Sequence, residues 1–146
     1  DGKVPLSGVL VVTKDSGLND LRQLEGKTIA LPAPNAFAAS LLIRAELANK
    51  GIRFTPLYVK THANVFRSVA LGDAPAGGAV NNTLEREPEN LRARLRVMYK
   101  TADYAPHPFI AHPRVPAALR DKLTQAFMQL ATTEAGQKLL DVIQIP

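Results

Sequence analysis

Apolar runs and helical stripes alternate along the first hundred residues. The stretch LSGVLVVTK (6–14) is apolar and rich in β-branched residues, which predicts a buried strand. Residues 16–27 predict one short helical turn with Leu18, Leu21 and Leu24 inward, closed by Gly26. KTIALP (27–32) predicts a second strand. A helix is expected over 35–51, opened by Pro34 and Asn35, with Phe37, Leu41, Ala45 and Ala48 as its apolar stripe and Gly51 as its stop. RFTPLYVK (53–60) predicts a third strand, and Pro56 places it near an edge or a bulge. Residues 62–73 predict a helix carrying Val65, Phe66 and Val69. AGGAV (76–80) is a fourth strand, 83–91 a helix interrupted near Pro88, and 94–104 a fifth strand. Prolines at 106, 108, 113 and 116 leave 106–116 irregular. Beyond them, Leu119, Leu123, Phe127 and Leu130 mark a helix with Pro116 at its first position. Thr132 or Thr133 caps a last helix whose apolar side is Leu139, Leu140 and Ile143.

Strand and helix alternating from 6 to 104 imply βαβ units. The expected fold is α/β: a mostly parallel five-stranded sheet with helices on both faces, plus C-terminal helices. In such sheets ligands sit beyond the carboxyl ends of the strands, where helices begin. Three junctions of that kind carry short polar side chains. Asn35 follows the second strand, Thr61 and His62 the third, and Asn81, Asn82 and Thr83 the fourth. Helix N-termini present unpaired N–H groups and partial positive charge, so several together would hold an anion. Taken singly, such residues are ordinary N-caps.

The chain has 146 residues, which fits one domain or part of a larger one, and 46% are hydrophobic, enough for a core. It has no cysteine, which excludes disulfides, thiol catalysis and cysteine-ligated zinc. No stretch predicts a membrane span or a signal peptide; the chain opens abruptly beside a strand, so the lack of a leader says little. The net charge of +5 belongs to residues 1–102, with 14 basic and 9 acidic side chains, whereas 103–146 holds 4 of each. The densest basic run, Arg92, Arg94 and Arg96, alternates with Ala93, Leu95 and Val97 and reads as a solvated face entering a strand. It is not a nucleic-acid patch. A modest positive field suits a small anion. His107 and His112 stand in the proline-rich segment without a carboxylate at metal-site spacing. No catalytic Gly-x-Ser-x-Gly, P-loop or Gly-x-Gly-x-x-Gly pattern occurs, and Glu85 and Glu87 do not share a helix face. Neither catalysis nor a cofactor is expected.

The segments GLNDLRQLEGKTIALPAPNAFAASLLIRAELANKGI (17–52), HANVFRSVALGDAPAGGAVNNTLE (62–85) and VPAALRDKLTQAFMQLATTEAGQKLL (115–140) resemble, in order, the second lobe and closing helices of periplasmic solute-binding proteins. The likeness is to the type II, phosphonate-binding-like components of ABC transporters. It runs from about residue 8 to 143 and rests on many weak positions. It implies a two-lobed trap that clasps a phosphonate, phosphate or phosphite between helix N-termini, hydroxyls and a histidine. Closure then signals a membrane permease or a sensor kinase, outside the cytoplasm or in the periplasm. Asn35, Ala36 and Phe37 fall where that family often has a Ser-Thr-Ser-like run, Thr61 and His62 match its histidine neighbourhood, and Asn81, with Asn82 and Thr83 after it, falls where an Asp is common.

Ala36 and Phe37 remove oxyanion-binding hydroxyls, and Asn81 turns an acceptor into a neutral donor and acceptor. These departures point to a larger, partly apolar or less charged ligand, anionic or polar, with Phe37 as a packing face. The resemblance also implies that 13–102 is one lobe, while 1–12 and 103–146 are hinge strands and helices of an incomplete other. The C-terminal stripes would then pack back on this domain or pair with a second copy as a homodimer. Two other readings share the fold: a sensor domain of a signalling protein, and an enzyme, which would need an acid–base pair.

Overall fold

The computed structural model describes residues 5–142. They fall into two compact units, Pro5–Ala105 and 106–142. In the first unit strand β1 (Gly8–Thr13) leads through a 3-10 turn (Leu21–Leu24) to β2 (Thr28–Leu31). A π-wound helical segment (Phe37–Leu42) runs directly into α1 (Ile43–Asn49). Then follow β3 (Thr55–Tyr58), α2 (His62–Leu71), β4 (Ala76–Val80), a 3-10 turn (Leu84–Arg86), the one-turn α3 (Glu89–Arg92) and β5 (Leu95–Lys100). The interruption at Pro88 separates the last two helical pieces.

All five expected strands form one sheet in the order β3-β2-β4-β1-β5. Its pairing is mixed rather than mostly parallel. β2 pairs parallel with β3 and β4, while β1 pairs antiparallel with β4 and β5. β1 therefore runs against the other four strands. β1 and β2 are not neighbours in the sheet, and the link between them, residues 14–27, contains the 3-10 turn. That turn is fixed by Asp20, which accepts from Arg22 N–H at 2.7 Å, and by Gln23, whose side chain reaches back to Asp20 N–H at 2.9 Å. Proline-bearing β3 is an edge strand, as Pro56 predicted.

The core has two sides because β1 and β2 are buried on both faces. Leu10, Val12, Ile29 and Leu31 pack with Ile43 and Leu47 of α1. Val9 and Val11 pack with Phe66 and Val69 of α2 and with Leu95. The α2 positions are those the sequence predicted. The stripe of the first helix is not. Phe37, Leu41, Ala45 and Ala48 are exposed, and Ala38, Ala39, Ile43 and Leu47 face the sheet. The π-wound first turn, in which both Ser40 N and Leu41 N donate to Ala36 O (2.9 and 3.0 Å), shifts the phase that a 3.6-residue stripe assumes. Gly8 and Gly78 permit this seating, since a Cβ on either would strike the carbonyl oxygen of Ala38 or Ala39. Gly72 ends α2 in a left-handed conformation (φ 86°) that a side chain would strain.

In the second unit α4 (Ala117–Leu130) and α5 (Glu134–Val142) meet at a tight corner. Thr133 Oγ1 accepts from Gly136 N–H at 3.1 Å and so caps α5. Gly136 lies against the backbone of Leu130, where a Cβ would not fit. Pro116 is the N-cap of α4, one place before the helix. No residue of α4 is buried; Leu119, Leu123 and Phe127 stay open along its length, and Phe127 stacks at a tilt on Phe109, centroids 5.0 Å apart. On α5 Leu140 is buried and Leu139 exposed, and Ile143 lies outside the described residues.

Candidate functional site

The strand register gathers the candidate residues at one edge of the sheet. β2, β3, β4 and β5 share a direction, so their carboxyl ends lie together. β1 opposes them and adds its amino end: Gly8 N–H donates to Thr101 Oγ1 at 3.0 Å and Thr101 N–H to Gly8 O at 2.9 Å. In strand order the edge presents Thr61 and His62, then Asn35–Phe37, then Asn81–Thr83, then Ser7, then Thr101. Strands stand about 4.8 Å apart, so the three junctions span about 10 Å. α1 and α2 pack on opposite faces, so their N-termini approach this edge from both sides.

At the first junction Asn35 lies exposed in the turn before the helix, and Ala36 holds the cap position with no side-chain hydrogen bond. Asn35 is therefore not the cap the sequence suggested. Among the described residues nothing accepts from the N–H groups of Phe37, Ala38 or Ala39. In the same turn the Ser40 hydroxyl is wholly buried without a partner. A buried polar group without a partner is costly.

At the second junction Thr61 does cap α2, its Oγ1 accepting from Asn64 N–H at 3.1 Å. The lead-in is a γ-turn. Thr61 N–H donates to Val59 O at 3.0 Å across Lys60, whose φ of 75° is unusual for a side chain of that size. Asn64 Nδ2 ties the turn down by donating to the same Val59 carbonyl at 2.8 Å. His62 is the first residue of α2. Its Nδ1 is buried without a partner, and burial holds its pKa below the ordinary 6.5, so the imidazole is neutral at pH 7.

The third junction is structural in part. Asn81 Nδ2 donates to Pro5 O at 3.1 Å, its Oδ1 lies 3.4 Å from Ser7 N, and its own N–H donates to Ser7 O at 3.0 Å. The Asn81 side chain thus clamps the lead into β1. Thr83 Oγ1 donates to Val80 O at 2.7 Å and does not cap the following turn. Asn82 is half-buried. An aspartate at 81 could not donate to Pro5 O. Asn81→Asp is therefore expected to destabilise the chain by about 1–2 kcal/mol, at least as much as Asn81→Ala despite its matching shape, which urea unfolding of the two variants checks.

Sequence reasoning missed three residues at this edge. The Ser7 hydroxyl is buried beside the Asp103 carboxylate, the Ser40 hydroxyl is buried with no partner among the described residues, and Tyr104 is fixed by paired backbone bonds with Leu6 (2.9 Å each). No periodicity marks an isolated bridge or a buried hydroxyl. The arginine run is also more than a solvated face. Arg92 pairs with Glu89, Arg94 donates to Ala70 O at 2.6 Å, and Arg96 donates to Leu18 O and Asn19 Oδ1. A separate open recess of about 590 Å³, lined by Asn19, Asp20, Arg22, Lys50, Met98 and Tyr99, lies at the far end of α1 and contains none of the edge residues.

This mixed sheet with helices on both faces has the fold of type II periplasmic binding proteins, as the solved structures show. PhnD1 from Prochlorococcus marinus, solved in complex with methylphosphonate, superposes with a TM-score of 0.84 at 17% identity, over 96% of this chain and 59% of that one. A binding-protein component of an ABC phosphonate transporter from Pseudomonas aeruginosa gives 0.79 at 17%, over 96% and 50%. XAC2383 from Xanthomonas citri, bound to ATP, gives 0.78 at 20%, over 95% and 57%. The chain spans between half and three-fifths of the length of these structures. No curated protein matches it. The model for the periplasmic substrate-binding protein of phosphonate ABC transporters matches residues 1–146, and the chain belongs to that family. Its members are substrate-binding components of periplasmic uptake systems.

Proposed function

We propose that this chain is the ligand-holding part of a periplasmic solute-binding protein that takes a small oxyanion of the phosphonate type and hands it to an ABC permease. Residues 13–102 act as the second lobe, and 1–12 with 103–146 belong to the hinge and the first lobe. The observation that carries the reading is the edge itself. The N–H groups of Phe37, Ala38 and Ala39, the Ser40 hydroxyl and His62 Nδ1 all lack partners among the described residues. The reading is of a binder: family members are substrate-binding proteins, and among the described residues no carboxylate orients His62 Nδ1 as a general base.

The test is calorimetric titration of the full chain with inorganic phosphate, phosphite, methylphosphonate and a small sulfonate, backed by thermal shift. Binding to the native state raises its stability by about 2.7 kcal/mol at a hundredfold excess over Kd. At least one of these oxyanions is expected to bind, and His62→Ala to weaken it about tenfold, as loss of a hydrogen bond to a charged group does. A chain that binds none of the four does not hold its ligand this way.

A further inference from the structure

We infer that the recess at the far end of α1 is a second ligand site, separate from the sheet edge, and that it takes a small organic anion with an aromatic or apolar body. The inference does not depend on the oxyanion reading. The recess owes its floor to an irregularity in β5. Leu10 of β1 lies opposite Tyr99, but Val11 lies opposite Val97, so Met98 is an extra residue, a β-bulge. In a regular strand, neighbouring side chains point to opposite faces of the sheet. The bulge breaks that alternation. Met98 and Tyr99, adjacent in the chain, both pack on the α1 side of the core. Bulges re-aim side chains in this way and are common beside functional sites.

The two side chains are held but not covered. Tyr99 OH donates to Glu46 Oε2 of α1 at 2.9 Å, which fixes the ring, yet Tyr99 and Met98 both stay half-buried. Between the 3-10 turn (Leu21–Leu24) and Lys50 at the end of α1 the helical layer leaves an opening of about 590 Å³. Sites for small molecules are about 300–1,000 Å³. The wall is already set. Arg96 donates to Leu18 O and Asn19 Oδ1, and Gln23 Oε1 accepts from the N–H groups of Asn19 and Asp20 at 2.7 and 2.9 Å. The rim supplies the charge. Arg22 and Lys50 are exposed, and among the described residues neither side chain has an ion-pair partner. Asp20 is the one acid in the lining, and its Oδ1 already accepts from Arg22 N–H at 2.7 Å. A thioether and a phenol ring favour an aromatic body, and the two cations favour a negative group at its end. An inorganic anion would leave Met98 and Tyr99 uncovered, and an uncharged ring would leave Arg22 and Lys50 unused.

The chain has two methionines, Met98 in the recess and Met128 on α4. Methyl-13C methionine labelling of the full chain therefore gives one signal for the recess and one internal control. The probe is naphthalene-2-carboxylate, with uncharged naphthalene-2-carboxamide beside it. The carboxylate is expected to shift the Met98 signal saturably, to leave Met128 unmoved, and to bind about fivefold more tightly than the carboxamide, as two exposed ion pairs allow. Replacing both rim cations, Arg22→Gln with Lys50→Gln, should abolish that preference and leave carboxamide binding unchanged. His62→Ala should leave the Met98 titration as it is in wild type. A Met98 signal that does not move, or that moves together with Met128 without saturating, overturns the site. So does equal affinity of wild type for the two probes, a preference that survives the double substitution, or a Met98 titration weakened by His62→Ala, which would place the probe at the sheet edge.

Discussion

Gly78→Ala is expected to destabilise the chain by about 3 kcal/mol, the upper end of the cost of overpacking. Gly78 lies in the middle of β4 opposite Leu10 of β1, beneath the start of the first helix. An alanine Cβ there would collide with the carbonyl oxygen of Ala39 and approach Leu31 Cδ2 to 2.6 Å. The leucine tip can turn away, but the carbonyl belongs to the helix backbone and moves only if the helix start moves. The same substitution should therefore displace the unpaired N–H groups of Phe37–Ala39 and weaken oxyanion binding as well. Gly77→Ala on the opposite face meets side-chain atoms of Val65 and Val69 at 2.5 and 2.8 Å and is expected to cost less. Urea unfolding midpoints of the two variants make the comparison; a Gly78→Ala protein within about 0.5 kcal/mol of wild type, the size of an ordinary surface substitution, contradicts it.

Phe66→Ala is expected to cost about 3–5 kcal/mol. Of the five phenylalanines in the chain, Phe66 alone is fully buried. It fills the space between α2 and the strands with Val9, Val11, Val69, Ala79 and Leu95. Most of its neighbours are small or β-branched and fixed in strands, so they cannot collapse into the cavity left behind. Total stability of a domain is about 5–15 kcal/mol, so this loss is a large part of it. Because α2 carries His62 at its first residue, loosening α2 also loosens one side of the proposed ligand edge. Thermal unfolding followed by circular dichroism should show a drop of about 10 °C or more. A drop of a degree or two means that the α2 side of the core contributes far less than its burial implies.

The five strands, helix α2 with Val65, Phe66 and Val69 inward, and the edge position of β3 were all legible in the sequence. Each is written in local signals: β-branched runs, a regular apolar stripe, and a proline that cannot sit in a central strand. The junction residues Thr61, His62, Asn81, Asn82 and Thr83 were legible for a related reason. A strand-to-helix turn in an α/β chain falls at a known end of the sheet. What each side chain does there was not legible. Thr61 caps, as its type suggests, whereas Asn81 is occupied by Pro5 and Ser7, more than seventy residues earlier in the chain. A sequence window has no access to such a pairing.

The sequence by itself determined the alternation of elements and the burial of β1, because these follow from local periodicity, and its residues in order carried the resemblance to a binding-protein family. Only the tertiary structure decided the direction of β1, the phase of the first helix and the exposure of Phe37. Those depend on which backbone lies against which. Gly8 and Gly78 let a helix start press onto the sheet, the close fit admits Ala38 and Ala39, and the larger Phe37 ring is left outside, against Tyr104.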